Sequence, residues 1–174
     1  MRKEIVIVDG YNVIGADDKL KTLAKEDFEG ARDELISMLA EYQAYSGREV
    51  IVVFDAHRVV GKGSQQHMYN MDIRYTKEKE TADECIERLV VELSNVATRI
   101  YVATSDRVEQ HVTFGNGGLR ISAMELVREM KKATQSIRHK IANQQHQPHK
   151  NSFDNRLPDD LKEKFEQWRR GNKK

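Results

Sequence analysis

Apolar residues follow two patterns along this chain. Ile5-Val6-Ile7-Val8 and Val50-Ile51-Val52-Val53-Phe54 are continuous and mostly β-branched. Such runs predict strands buried on both faces, as in a parallel sheet. Arg99 to Thr104 predicts a third strand of this kind. Met71 to Tyr75 alternates and predicts a short edge strand, and Leu119-Arg120-Ile121 a last short strand. Elsewhere the spacing is helical. Leu35, Ile36, Leu39 and Tyr42 predict a helix over about 28–45, ended by Ser46-Gly47. Ile86, Leu89, Val90 and Leu93 predict one over about 81–94, with Cys85 a small buried neighbour of that stripe. Ser122 and Glu125 have capping-box spacing and open a long helix to about Ile141.

Between these elements lie polar stretches. Residues 17–25 and 58–70 read as loops, 107–112 as a short helix, and 115–118 as a glycine-rich turn. Residues 142–155 are rich in Gln, Asn and His, contain Pro148, and read as a linker. Leu161, Phe165 and Trp168 then mark a short terminal helix. Strands that alternate with helices need crossover connections, so the fold class is α/β with a mainly parallel sheet and helices on both faces. The domain division expected is 1–141 for the folded unit and 142–174 for the linker and helical tail.

Composition narrows the class. The chain has 174 residues, enough for one domain with its own core plus an extension. It is 39% hydrophobic and 33% charged, so its surface is highly polar. No apolar run reaches the length of a membrane span. No signal-peptide core precedes the first strand. The single cysteine rules out an internal disulfide framework and a cysteine-based zinc site. The expectation is a cytoplasmic protein with neither a membrane partner nor a disulfide-linked one.

The chemistry sits where the strands stop. The first three long runs end in Asp9, Asp55 and Asp106, and a further acidic group, Glu80-Thr81-Ala82-Asp83-Glu84, opens a helix. In open α/β sheets ligands bind beyond the carboxyl ends of the strands. Taken locally, Asp9-Gly10 is a turn and Asn12 a helix cap. Taken together, converging carboxylates repel one another unless a cation lies between them. Oxygen ligands without His or Cys suit Mg2+ or Mn2+. A metal-bound water and a stabilised phosphate are the requirements of phosphodiester hydrolysis. Glu80 and Asp83 join this cluster if the 71–75 strand delivers the chain to the carboxyl edge. Asp55 is the weakest member, and Glu84 and Glu87 read as solvated.

Four motifs carry a resemblance: Val-Asp-Gly-Tyr-Asn at 8–12, Phe-Asp-Ala-His at 54–57, Glu-Thr-Ala-Asp at 80–83 and Thr-Ser-Asp at 104–106. In order and spacing they resemble the NYN branch of the PIN-like nucleases, and within it the bacterial YacP-type proteins. The likeness spans residues 4 to about 140 and extends to Phe-Glu-x-Trp-Arg-Arg-Gly at 165–171. It implies a three-layer α/β/α sandwich and a Mg2+-dependent endoribonuclease acting on mRNA engaged with a ribosome, near the decoding site. It also implies that Asp9, Asn12, Asp83 and Asp106 are site residues, with Asp9, Asp83 and Asp106 on the metal and Glu80 beside them.

An acidic site needs basic contacts to hold RNA. Arg58, Lys62, Arg74 and Lys77 flank the presumed site, and Tyr69 or Tyr75 offers a ring for base stacking. Arg128, Lys131, Lys132, Arg138 and Lys140 lie on the last long helix and suit a nucleic-acid partner such as ribosomal RNA. Each of these also reads as an ordinary surface charge. The main alternative is a non-catalytic RNA- or ribosome-binding module on the same fold. A receiver-like phosphoacceptor domain fits less well, because glycine follows Asp9 where a second acid is expected. A phosphatase using Asp9 as nucleophile would want an acid where Tyr11 stands.

Overall fold

A computed structural model describes residues 2–55, 65–77, 79–105, 118–145 and 164. Six strands form one sheet: β1 (Lys3–Asp9), β2 (Glu49–Phe54), β3 (Gln65–Met68), β4 (Met71–Tyr75), β5 (Thr98–Thr104) and β6 (Leu119–Ser122). Their order is β3-β4-β2-β1-β5-β6. Every pairing is parallel except β3 with β4, a hairpin at one edge. The described helices are α1 (Gly10–Ala16), α2 (Asp18–Glu26), α3 (Phe28–Ser46), α4 (Ala82–Leu93) and α5 (Ala123–Gln145).

The continuous apolar runs serve two cores at once. Val6, Val8, Val50, Val52 and Phe54 face α1, α2, α3 and α5 on one side of the sheet. Ile5, Ile7, Ile51 and Val53 face Cys85, Ile86, Leu89 and Val90 of α4 on the other. Side chains alternate faces along a strand, so a strand between two helical layers has no polar side to show. The result is the three-layer α/β/α sandwich that the motifs imply. Gly47, in the left-handed region at φ 73°, ends α3 where the sequence places the stop.

Several expectations are corrected. The stretch 17–25 is not a loop: α1 runs straight out of β1, and Asp17 ends it and caps α2, accepting from the Leu20 N–H at 3.0 Å. The polar stretch 58–70 contains strand β3, so β4 is internal and β3 is the edge. Tyr69 and Asn70, at φ 56° and 59°, make the tight turn between them. The last helix runs past Ile141 to Gln145, because Ala142, Asn143, Gln144 and Gln145 contain no breaker. The chain divides into two compact units, Met1–Ile137 and Arg138–Lys174, and the sheet belongs to the first. The expected helix at 107–112, most of the turn at 115–118 and the terminal helix lie outside the described residues. No helix among the described residues is long and apolar enough to cross a membrane.

Candidate active site

All the parallel strands present their carboxyl ends on one edge, and Asp9 closes the central strand there. It is 4% exposed. It also caps α1: one carboxylate oxygen accepts from the Asn12 N–H at 3.1 Å, and the other accepts from the Asn12 side-chain amide. Asn12 is therefore not itself a cap but the residue that holds Asp9 in place. Gly10 permits the tight exit. A Cβ there would lie 2.2 Å from the Phe54 ring, and Phe54 is fully buried.

Phe54 anchors an aromatic row beside this edge. Tyr11 packs between Phe28 and Phe54, at 5.1 Å and 5.3 Å, and Tyr75 stacks on Phe54 at 5.8 Å. The Arg32 guanidinium lies over the Tyr75 ring at 5.6 Å. Tyr75 is thus packed within the protein between Phe54 and Arg32. Tyr69 is exposed but precedes Met71, at the amino end of β4. Asp72 pairs with Ile51 and Tyr75 with Phe54. At about 3.3 Å per residue, Tyr69 lies well over 10 Å from the level of Asp9.

Burial pushes the Asp9 carboxyl above the ordinary carboxylate range, and the negative charge of Asp55 pushes the same way. The two Asn12 bonds oppose that rise without cancelling it. Asp9 therefore feels the charge of Asp55, which directly follows the adjacent strand. A carboxylate of this kind, its ionised form disfavoured by burial and by a neighbouring negative charge, is one that a hard divalent cation would favour.

Parallel β4 delivers the chain to the same edge. Thr76 N–H donates to the Phe54 carbonyl at 3.0 Å, and α4 begins after Thr81. Thr81 and Glu84 form a reciprocal capping box at 3.2 Å and 3.0 Å. Glu84 is exposed, as expected, but has this structural task. Asp83 is exposed in the first turn of α4, where the helix dipole favours a carboxylate. The condition set by the sequence for Glu80 and Asp83 to reach the carboxyl edge is met by the topology. Glu80, however, is tied to Arg88 at 2.8 Å and to the Lys77 N–H at 3.1 Å. Asp106 lies outside the described residues. Among the described residues no three His, Cys, Asp or Glu side chains gather into a metal-binding group.

The basic residues divide similarly. Arg58 and Lys62 lie outside the described residues. Arg74 pairs with Asp72 at 3.1 Å and Lys131 with Asp17 at 2.7 Å. Lys77, Arg128, Lys132, Arg138 and Lys140 are exposed. Sequence reading missed Arg88, Arg32 and the buried Asp17. The first two reveal themselves only through tertiary contacts. Asp17 carried a legible signal, an Asp three residues before an apolar position, which is a helix-start pattern.

The YacP-like NYN domain model matches residues 6–170. The chain is 47% identical over 168 residues to the uncharacterized protein YacP of Bacillus subtilis (strain 168), covering 97% of this chain and 98% of that protein. The crystal structure of Rae1 (YacP) from Bacillus subtilis superposes with a TM-score of 0.74 at 47% identity, over 96% of this chain and 95% of that one. A crystal structure of a mutant of the same protein gives 0.73 at 48% identity, over 83% and 84%. The fold is PIN-like, and NYN domains are part of a nuclease superfamily, which supports a nuclease-type role directed at RNA. By sequence over nearly its whole length and by fold, the chain belongs to the YacP-like NYN domain family.

Proposed function

We propose that this protein is a metal-dependent endoribonuclease that cuts mRNA engaged with a ribosome, near the decoding site. The observation that carries the catalytic part is Asp9. It is a nearly buried carboxylate at the end of the central strand, raised by burial and by Asp55, on the edge to which β4 also brings Asp83. Asp9, Asp83 and Asp106, which follows the end of β5, would hold Mg2+ or Mn2+. Once bound, the ion would supply an activated water and stabilise charge on the phosphate oxygens. Asn12 fixes the direction of Asp9. Asp55 adds negative potential that favours the cation. The capping box of Thr81 and Glu84 fixes the turn that carries Asp83.

The ribosomal part is supported by the motif resemblance and by exposed cations. Arg128 and Lys132 on α5 make no ion pair with another side chain among the described residues, unlike Lys131. The test is purified protein incubated with mRNA, with and without ribosomes, in Mg2+ and in EDTA. The proposal expects endonucleolytic products only with Mg2+ and many more with ribosomes present. Tight RNA or ribosome binding without any cleavage would make it a binding module instead.

A further inference from the structure

The resemblance assigns Glu80 to the catalytic cluster, but its surroundings describe another task. One carboxylate oxygen accepts from two nitrogens of Arg88, at 2.8 Å and 3.3 Å. The other accepts from the Lys77 N–H at 3.1 Å, and the Glu80 N–H returns a bond to the Lys77 carbonyl at 3.0 Å. Glu80 thus ties Lys77 to the body of α4. Its side chain is 17% exposed, and the carboxylate is turned to Arg88. Arg88 is also held, contacting Glu92 at 3.4 Å and the sulfur of buried Cys85 at 3.5 Å.

A second observation points to the same place. Lys79, immediately before Glu80, is a non-glycine residue at φ 73°. Such a conformation is retained only where its surroundings over-determine it. The surroundings here are the Glu80 bonds on one side and the Thr81 cap on the other. Upstream, Thr76 is fixed to the Phe54 carbonyl, next to Asp55. The approach to Asp83 is therefore fixed at Thr76, at Lys77 through Glu80, and at Thr81.

We infer that Glu80 and Arg88 are positioning residues of the proposed nuclease site, a clamp that sets where α4 begins and so where Asp83 stands. The inference rests on the nuclease reading for its functional meaning. Glu80 then acts through Asp83 and not on the metal. Displacing a reacting group by as little as 1 Å costs a rate factor on the order of a hundred.

The experiment compares Glu80→Ala, Arg88→Ala, the double variant and Glu80→Gln in the full chain, by cleavage kinetics and by amide hydrogen exchange. Both single alanine variants should lower kcat by roughly tenfold to a hundredfold with little change in KM. The double variant should be no worse than either, because the pair acts as one unit. Glu80→Gln should fall between Glu80→Ala and wild type, since its one amide oxygen can accept from Arg88 or from the Lys77 N–H but not from both. Amides of Lys77 and of residues 79–84 should exchange faster in Arg88→Ala. A Glu80→Gln variant as inactive as Glu80→Ala, beside an Arg88→Ala variant at the wild-type rate, would overturn the clamp and return Glu80 to the metal. Unchanged exchange in Arg88→Ala would overturn it as well. Exchange needs no cleavage, so a wild-type protein that cuts no RNA would fail the nuclease reading separately.

Discussion

The ammonium of Lys131 on α5 lies 2.7 Å from the carboxylate of Asp17, the residue between α1 and α2. Asp17 is 1% exposed and also caps α2. Lys131 is therefore a structural cation and not one free to meet RNA. Burial pushes the Asp17 carboxyl up, but Lys131 and the Leu20 N–H outweigh it and hold it below the ordinary range. A depressed carboxyl contributes stability that is present above its unfolded value and is lost as pH falls through the folded one. Removing the cation with Lys131→Met leaves a buried charge alone. Because the lysine is 54% exposed, the expected cost at pH 7 is about 2 kcal/mol, below that of a fully buried pair. Urea denaturation should show that cost shrinking toward pH 4, as Asp17 protonates in the variant.

Gly10→Ala tests the exit from β1. The added Cβ would fall 2.2 Å from the ring of Phe54, which cannot move outward from a closed core. Overpacking of this sort costs roughly 1–3 kcal/mol. Thermal unfolding should show the loss, and Asp9, one residue away, should be displaced enough to weaken Mn2+ binding.

Asp9→Asn tests the burial of the site carboxylate. The folded protein holds this group above the ordinary range, so its ionised form opposes folding. The opposition is complete above the folded pKa and vanishes below the unfolded one. Asparagine is an equally good N-cap. In EDTA the variant should be as stable as wild type or more so at neutral pH, with the difference disappearing as pH falls to the ordinary carboxylate range. A variant less stable than wild type in EDTA at every pH would contradict this.

Arg128→Gln with Lys132→Gln tests the α5 surface and leaves Lys131 in place. Each lost phosphate contact should flatten the salt dependence of ribosome binding by roughly 0.7 to 0.9 in log–log slope. Mn2+ binding should not change. An unaltered slope would reduce this surface to a solvated helix face.

The sheet was readable because its physics is local. Ile5 to Val8 and Val50 to Phe54 have no polar face, and that requires helices on both sides. The capping box of Ser122 and Glu125 and the stop at Gly47 were readable for the same reason. The helices at 10–26 were not, because their apolar positions are sparse and Asp17, which joins them, meets its partner Lys131 more than a hundred residues away. The position of Asp9 was legible, but its attachment to Asn12 was not. Glu80 shows the limit most clearly. Its identity and place before α4 fit a ligand, while only the folded α4 reveals the Arg88 guanidinium that takes up its carboxylate.

The carboxylates at the sheet edge are proposed to hold the ion that cuts RNA. The most direct measurement is Mn2+ titration and mRNA cleavage in parallel on wild type, Asp83→Asn and the Asp9→Asn, Asp83→Asn pair. Wild type should bind Mn2+ saturably and the double variant should not, with cleavage abolished in both variants and the fold retained. Unchanged Mn2+ binding in the double variant, or full cleavage by Asp83→Asn, would contradict this assignment.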